Sequence, residues 1–264
     1  MESSTLPAAP GVPAYDRIVL RPKQHRYCVA VFVINEGERV RTQLREMAAL
    51  ADRVDIIVAD GGSTDGSLAP DTLDDFKLSA LLIKRGPGKL SAQMRMAMSY
   101  ALEQGYDGIV VIDGNGKDDW RAIPRFLELL DEGYDHIQGS RYVPGGKGIN
   151  TPLSRTVGVK LLHAPVISLA AGARYTDTTN GFRAYSRTFL RDPRVQPLRD
   201  IFGAYELHYY LAIRAARLGF RIIETPVTRS YPATGKTPTK ISPIRGNLKV
   251  LTTLAAAALG RFDP

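Results

Sequence analysis

The chain repeats one pattern: a short apolar run stops at a polar, glycine-bearing loop, and a stretch of helical periodicity follows. Tyr27 to Ile34 (YCVAVFVI) is apolar without a break, which suits a strand covered on both faces in a parallel sheet. Asn35, Glu36 and Gly37 turn the chain, and Val40, Leu44, Met47, Ala48 and Ala51 then fall at helical spacing. A second run, Val54 to Ala59, ends in Asp60-Gly61-Gly62-Ser63-Thr64-Asp65-Gly66. A third, Ala80 to Lys84, leads through Gly86, Pro87, Gly88 and Lys89 into a helix marked by Leu90, Met94, Ala97, Met98 and Ala101. The fourth, Ile109 to Ile112, stops at Asp113. This β-α-β-α-β-α-β alternation with short loops predicts an α/β chain with right-handed crossovers and a doubly wound, mainly parallel sheet.

In such sheets ligands sit beyond the carboxyl ends of the strands, so the loops just named are where chemistry is expected. The stretch Val110 to Asp119 (VVIDGNGKDD) sets Asp113, Asn115, Asp118 and Asp119 within seven positions, loosened by Gly114 and Gly116. These are oxygen donors suited to a divalent cation and the phosphates it neutralises. Taken alone the stretch reads more readily as an acidic surface turn, since Asp, Asn and Gly are ordinary turn formers.

Beyond Trp120 the pattern changes. A helix through Phe126 to Leu130 and a strand near His136 to Ser140 precede a glycine-rich stretch ending at Gly146. Pro152 to Ala173 is apolar with Arg155, Lys160 and His163 interspersed, and Pro165 predicts a kink. Thr176 to Ser186 reads as a loop entering a strand, Tyr205 to Leu218 as a helix stopped by Gly219, and Phe220 to Val227 as a strand. Residues 1–24, with Pro7, Pro10 and Pro13 and little periodicity, are expected to form a flexible arm with no role in the fold.

With 264 residues, 44% of them hydrophobic, the chain can bury the core of one compact domain. The single Cys28 rules out a disulfide framework and a cysteine metal site, and fits a cytoplasmic protein. The formal charge of +8 is concentrated late: from Arg221 onward seven basic residues stand against two acidic ones, so anions are expected there. Nucleic acid is an unsuitable partner, because these cations are interleaved with Pro, Thr and Gly rather than stacking aromatics. No signal-peptide core precedes the first strand. The apolar stretches around Ala164 to Ala173 and Val250 to Gly260 are roughly half of the about twenty residues that span a bilayer.

Several motif matches fail. Gly235-Lys236-Thr237 lacks the first glycine of a phosphate-binding P-loop, since Ser230 stands there, and Gly86 with Gly88 follow the wrong strand for a dinucleotide fingerprint. His25, His136, His163 and His208 have no metal-ligand spacing.

What remains is a series in a particular order: Asn35-Glu36, ADGGSTDGS (Ala59 to Ser67), Gly88-Lys89, IDGN (Ile112 to Asn115), QGSRY (Gln138 to Tyr142), TDTTNGFRAYS (Thr176 to Ser186) and IIETPVTR (Ile222 to Arg229). In these the sequence resembles the family-2 glycosyltransferases of GT-A fold, and among them the dolichyl-phosphate mannose synthase-like group, from about Tyr27 to Ser242. The resemblance implies a Rossmann-like sheet with a mixed C-terminal, acceptor-side half. Residues 25–119 would be the nucleotide-sugar half and 120–240 the acceptor half, followed by a basic and apolar tail over 241–264. Two departures stand out: Gly61 and Asn115 occupy positions where the family usually has aspartates. Asn115 still offers a carbonyl oxygen to a hard cation but brings no charge.

The resemblance also implies roles. A nucleotide-diphosphate sugar would be held by Asn35, Glu36, Asp60 and Gly61 at its base and ribose, with Lys89 adding positive charge. Asp113 and Asn115 would hold Mg²⁺ or Mn²⁺ on the diphosphate. Arg141, Arg183, Arg229 and Lys236 are the cations for the remaining phosphate oxygens, because a departing nucleoside diphosphate develops charge. Glu36 and Asp60 have a plainer reading as turn formers, and Arg183 as a salt-bridge partner. The reaction implied is a single inverting displacement.

Nucleotidyl transfer is disfavoured, because the loop Asn35-Glu36-Gly37-Glu38 is acidic where a triphosphate would need a basic, glycine-rich cradle. A catalytically impaired binding relative stays open on account of Asn115. For the acceptor, a hydroxyl needs a general base, for which Asp177 and Glu206 are the candidates. A polyprenyl phosphate, already ionised, needs none. The apolar and basic segments 152–173 and 240–261 favour the lipid phosphate at the cytoplasmic face of a membrane, though they suit core packing or a dimer contact equally well. Homo-oligomerisation is left open.

Overall fold

The computed structural model describes residues 2–5, 10–69, 73–233 and 245–264. Its main sheet has nine strands: β1 (Glu2–Thr5), β2 (Tyr15–Val19), β3 (Tyr27–Val33), β4 (Asp55–Asp60), β5 (Ala80–Lys84), β6 (Gly108–Asp113), β7 (His136–Ser140), β9 (Arg183–Ser186) and β10 (Ile222–Pro226), in the order β1-β2-β5-β4-β3-β6-β9-β7-β10. β8 (Lys147–Ile149) and β11 (Thr228–Ser230) pair separately as a short parallel ribbon. The central four strands, β5-β4-β3-β6, are parallel. β9 runs antiparallel between β6 and β7, which makes the C-terminal half mixed, as expected.

Side chains of β3 alternate across the sheet, and each set meets its own layer. Cys28, Ala30 and Phe32 pack with Met94, Ala97 and Met98 of helix α2 (Leu90–Glu103) and Leu207 and Leu211 of α7 (Glu206–Arg217). Tyr27, Val29, Val31 and Val33 pack with Val40 and Leu44 of α1 (Glu38–Met47) and Phe126 and Leu130 of α3 (Ile123–Asp131). All seven are buried, each contributing about 1.5–3 kcal/mol where the side chain is large. The unbroken apolar run in the sequence is thus the mark of a strand with no solvent face.

From β3 the chain moves outward through β4 and β5, then crosses to β6 on the other side of β3. The crevice beyond the carboxyl ends of β3 and β6 is therefore the topological switch point, where open α/β sheets bind ligands. Val33 lies opposite Asp60 and Phe32 opposite Asp113, so both aspartates reach that edge.

Two expectations are corrected. The described residues of the segment 1–24 are not an arm outside the fold: β2 pairs antiparallel with β5, Ala14 O accepts from the N–H of Arg85 and Gly86 at 2.8 and 2.9 Å, and Val12 and Tyr15 lie in the core. Five residues after a proline carry too little periodicity to show this; the partner strand supplies the order. Between β4 and β5 the described residues hold only a 3₁₀ turn, Asp74–Phe76, because the glycine- and aspartate-rich segment has no helical apolar stripe. The tail contributes α8 (Arg245–Ala258), whose Leu254 and Ala257 pack with Tyr209 and Ile213 of α7.

The segment around Pro165 runs as one helical stretch with a local change of winding. α4 (Leu153–Gly158) passes through a π-helical turn, Val159–His163, into α5 (Ala164–Ala171), with Pro165 in the first turn, where its missing N–H is harmless. A short helix, α6 (Arg187–Arg191), follows β9. Among the described residues no helix is long and apolar enough to cross a membrane.

Candidate active site

The loops after β3 and β4 are tied to each other. Asn35 takes a left-handed conformation, φ 48°, from which its Oδ1 accepts from Thr64 N at 2.8 Å and its N–H donates to Ser63 Oγ at 2.9 Å. Both Asp60 oxygens accept from Ser63 N, at 3.0 and 2.9 Å, and Oδ1 also from Ser63 Oγ at 2.5 Å. Glu36 pairs with Arg39 at 2.9 Å. The predicted donor residues therefore shape the crevice wall through the turn roles open to them.

Gly61 has a local reason for being glycine. Its N–H donates to Val33 O at 2.7 Å, and the buried Gln93 of α2 donates Nε2 to Val33 O and Ala59 O at 2.9 and 3.1 Å. A Cβ on Gly61 would stand 2.9 Å from that Nε2. An aspartate here would have to displace Gln93, so the glycine and the glutamine act as one unit. Lys89, exposed at the start of α2, is held through its N–H to Gly203 O at 2.6 Å.

At the end of β6, Asp113 is partly exposed and its Oδ2 faces Arg229 at 3.2 Å and Asn115 Nδ2 at 3.3 Å. Gln43 of α1 fixes the loop, donating to Asp113 O at 3.1 Å and accepting from Gly116 N at 2.9 Å. Arg229 reaches back to Asp118, with which it shares an isolated bridge, in a buried ion pair. Burial pushes the Asp118 carboxyl up to about 6 against the pull of Arg229. Burial likewise opposes the charge on Arg229, but Asp118 and Asp113 outweigh it and hold the guanidinium charged.

A cationic cluster surrounds Tyr231. Its ring has Lys117 at 5.8 Å, Arg155 at 5.5 Å and Arg229 at 5.8 Å from the centroid, and its hydroxyl accepts from Arg141 at 3.3 Å. Burial, then the Arg229 charge, lower the Lys117 ammonium below its ordinary range, while Asp113 opposes them. Four positive side chains from β7's end, α4, the Asp113 loop and β11 thus meet around Tyr231, with Arg229 paired to Asp113 and Asp118 and Arg141 to Asp177. Lys117, Arg155 and Tyr231 were not singled out from sequence as site residues. Lys117 lay inside the stretch already marked, but nothing local tied Arg155 or Tyr231 to it.

The remaining predicted residues divide. Arg141 and Asp177 form a bidentate pair at 2.6 and 2.9 Å with side chains 1% and 0% exposed, and Thr179 Oγ1 accepts from Arg141 at 2.9 Å. Both Asp177 oxygens are engaged by Arg141 and away from solvent, the arrangement of a buried structural ion pair. Arg183 is buried and donates to the carbonyls of Asn180, His208 and Thr178 at 3.0, 2.6 and 2.8 Å, which makes it an internal brace rather than a phosphate ligand. Glu206 Oε2 accepts from Ala204 N at 2.6 Å at the start of α7. Burial, then the charges of Asp113 and Glu206, raise the neighbouring Tyr205 hydroxyl. Glu224, unmarked in the sequence reading, accepts from Thr176 N and Asp177 N at 2.9 and 3.0 Å and so fixes the Asp177 loop. Lys236 lies outside the described residues.

A divalent cation fits the Asp113 position. Oδ1 carries no hydrogen bond among the described residues, and Gly181 leaves room beside it that a Cβ, 3.3 Å away, would fill. No group of three or more acidic, histidine or cysteine side chains that could hold a metal ion by itself is present among the described residues. A cation would thus rest on Asp113, with the Asn115 carboxamide next to it, and take further oxygens from substrate phosphates, as Mg²⁺ commonly does.

Residues 28–193 match the family model described as glycosyl transferase family 2. An undecaprenyl-phosphate mannosyltransferase of Micrococcus luteus is 30% identical over 196 residues, 74% of this chain and 79% of the relative. A polyprenol monophosphomannose synthase of Mycolicibacterium smegmatis is 30% identical over 216 residues, 81% of this chain and 80% of the relative. Among solved structures, glucosyl-3-phosphoglycerate synthase of Mycobacterium tuberculosis, in complex with Mn²⁺, uridine-diphosphate-glucose and phosphoglyceric acid, superposes with a TM-score of 0.61. The superposition is at 17% identity over 88% of this chain and 79% of that one, and the two share their fold.

Proposed function

Because the chain belongs to glycosyl transferase family 2 and has its GT-A fold, we propose that it transfers a hexose from a nucleoside-diphosphate sugar to the phosphate of a polyprenyl phosphate. The observation that carries this reading is the convergence of Lys117, Arg141, Arg155 and Arg229 on Tyr231, beside Asp113. A phosphate acceptor has a second pKa near 6 and attacks as the anion, so the site must gather negative charge and needs no base. Four cations supply the first need. The engagement of Asp177 by Arg141 agrees with the second.

In this reading residues 25–119 hold the donor and 120–240 the acceptor. The crevice wall built by Asn35, Glu36, Asp60 and Gly61 receives base and ribose, and Lys89 stands at its rim. Asp113, with Asn115, holds Mg²⁺ or Mn²⁺, which when bound would neutralise charge on the departing diphosphate. Arg229 and Lys117 share that task from the protein side, since fixed charges aimed at a developing anion cost no reorganisation. Arg155 orients the acceptor phosphate, while Arg141, buried against Asp177, holds the Tyr231 hydroxyl beside it; one of the phosphate oxygens attacks the anomeric carbon as the bond to the nucleoside diphosphate breaks, with inversion. Asp177 and Glu224 position Arg141 and touch no substrate. The enzyme works as a peripheral protein on the cytoplasmic face of a membrane.

A second reading, transfer to a hydroxyl, is favoured by one observation: Glu206 keeps one carboxylate oxygen without a hydrogen bond among the described residues. Incubation with labelled nucleotide sugars and undecaprenyl or dolichyl phosphate separates the two. The expected product is an extractable lipid-linked sugar whose yield survives Glu206→Gln. Absence of such a product with every donor, together with transfer to a hydroxyl compound that Glu206→Gln abolishes, overturns the proposal.

A further inference from the structure

Glycine at position 61 leaves the crevice wall without a side-chain acceptor next to Asp60. Behind that gap stands the carboxamide of Gln93, from the first turn of α2. A Cβ at position 61 would lie 2.9 Å from Gln93 Nε2, 3.2 Å from its Cδ and 3.2 Å from Ile34 Cβ, so the missing methyl is what uncovers the amide. The φ of Gly61 is not positive, so space and not backbone conformation asks for glycine here. The carboxamide is held in one orientation: Nε2 spends both of its hydrogens on Val33 O and Ala59 O, at 2.9 and 3.1 Å. Oε1 is left without a hydrogen bond among the described residues. Gln93 is only 5% exposed, yet this oxygen is not among the polar atoms sealed from water. Ile34, 37% exposed, borders the same gap with an apolar side chain. A fixed acceptor beside an apolar surface, in a crevice at the carboxyl ends of β3 and β4, suits the edge and face of a flat heterocycle.

We propose that Gln93 Oε1, reached past Gly61, accepts a hydrogen bond from the ring N–H of the nucleotide sugar's base, and that the base is accordingly uracil or guanine. The inference rests on the nucleotide-sugar reading above and adds the class of base and the residue that selects it. Uracil N3 and guanine N1 carry a hydrogen, whereas adenine N1 and cytosine N3 present a lone pair. Adenine and cytosine can offer an amino hydrogen only with that lone pair alongside, where it faces the oxygen. A site arranged around one hydrogen bond rejects a ligand that cannot make it, because the protein's own polar group is then left unpaired. Gln93 is suited to this task in a further respect. Its oxygen is neutral, so it adds no negative charge to a crevice that must also receive a diphosphate. The brace between β3 and β4 is complete through Nε2 alone, which leaves Oε1 free for the ligand.

Calorimetric titration of the full chain with ADP, CDP, GDP and UDP in the presence of Mn²⁺ tests the proposal. GDP or UDP is expected to bind about tenfold or more tightly than ADP and CDP, and methylation of the ring nitrogen, as in 1-methyl-GDP or 3-methyl-UDP, is expected to remove that advantage. Gln93→Leu should bring the four nucleotides to within about threefold of one another. A Gln93 that served only as a brace would weaken all four alike and leave their ratios intact. Gly61→Ala, which sets a methyl over the amide, should weaken the preferred nucleotide by about tenfold. Thermal unfolding checks that both variants fold, and the methylated nucleotides on the wild-type chain decide the matter if Gln93→Leu does not. A preference for ADP or CDP, undiminished binding of the methylated nucleotide, or ratios unchanged in Gln93→Leu overturns the proposal. If nucleotides bind without discrimination between bases, the nucleotide-sugar reading stands and the role of Gln93 falls; if none of the four binds, both fall.

Discussion

Asp177 illustrates how a single residue's environment decides its role. As a general base its loss would lower turnover and leave stability nearly intact. As the partner of a guanidinium that is 1% exposed, its loss strands a buried charge, at a cost of about 3–5 kcal/mol. Urea unfolding of Asp177→Ala is expected to show a loss of that size, and an unchanged midpoint would restore Asp177 as a candidate base. Asp113→Ala should behave in the opposite way, with turnover lower by on the order of a hundredfold and the fold retained. Asn115→Asp adds a charge beside the Asp113 carboxylate, and Mn²⁺ alone should then raise the unfolding temperature more than in the wild type. Undiminished turnover of wild type in chelator would refute the metal's role. At this scale the strand-end aspartates, Asp60 and Asp113, were legible because a polar residue closing an apolar run can only lie at a sheet edge. Arg155 and Tyr231 were not: 76 residues separate them, and only the fold brings guanidinium and ring within 5.5 Å.

Among elements, the layer where β7, β9 and α7 meet is unusually polar for an interior. His136 opens β7 with neither ring nitrogen hydrogen-bonded among the described residues, packs at 5.4 Å on Tyr185 of β9, and shares the interior with Arg183 and His208. Burial, then the Arg183 charge, depress the His136 imidazole to about 3. The neutral form is therefore the folded form, and the unfolded chain binds one more proton once pH falls below about 6.5. Stability from this group is complete above that pH and is lost as pH falls towards 3, about 2 kcal/mol of it by pH 5. His136→Phe keeps the ring packing and removes the titration, so its stability should decline less between pH 7 and 5 in parallel urea titrations. Equal slopes for the two proteins would show that His136 does not titrate across unfolding. The elements of this layer were legible as a short strand and a strongly periodic helix, but the antiparallel placement of β9 between β6 and β7 was not. That order depends on which edges remain unpaired after the first four strands have formed.

For the molecule as a whole, the alternation of apolar runs and helices was enough to expect the doubly wound sheet, because strands buried on both faces leave few other ways to satisfy their backbones. The N-terminal segment was misread for the complementary reason: its order comes from a partner distant in sequence. β2 pairs along the whole of β5, from Tyr15 opposite Lys84 to Val19 opposite Ala80, and β1 pairs with β2 in turn. Without them β5 becomes a free edge ending an otherwise covered sheet, and free edges recruit other strands. Val12 and Tyr15 would also leave the core cluster that backs α2 and α7, at a cost of roughly 3–6 kcal/mol together. Deletion of residues 1–24 is therefore expected to lower the unfolding temperature by many degrees and to produce concentration-dependent oligomers in light scattering. Because Asp113, Arg229 and Tyr231 lie across β3 from that edge, the truncated protein should retain donor binding at low temperature, where it is still folded. A truncated chain that stayed monomeric with an unchanged unfolding temperature would return the segment to the role of a dispensable arm.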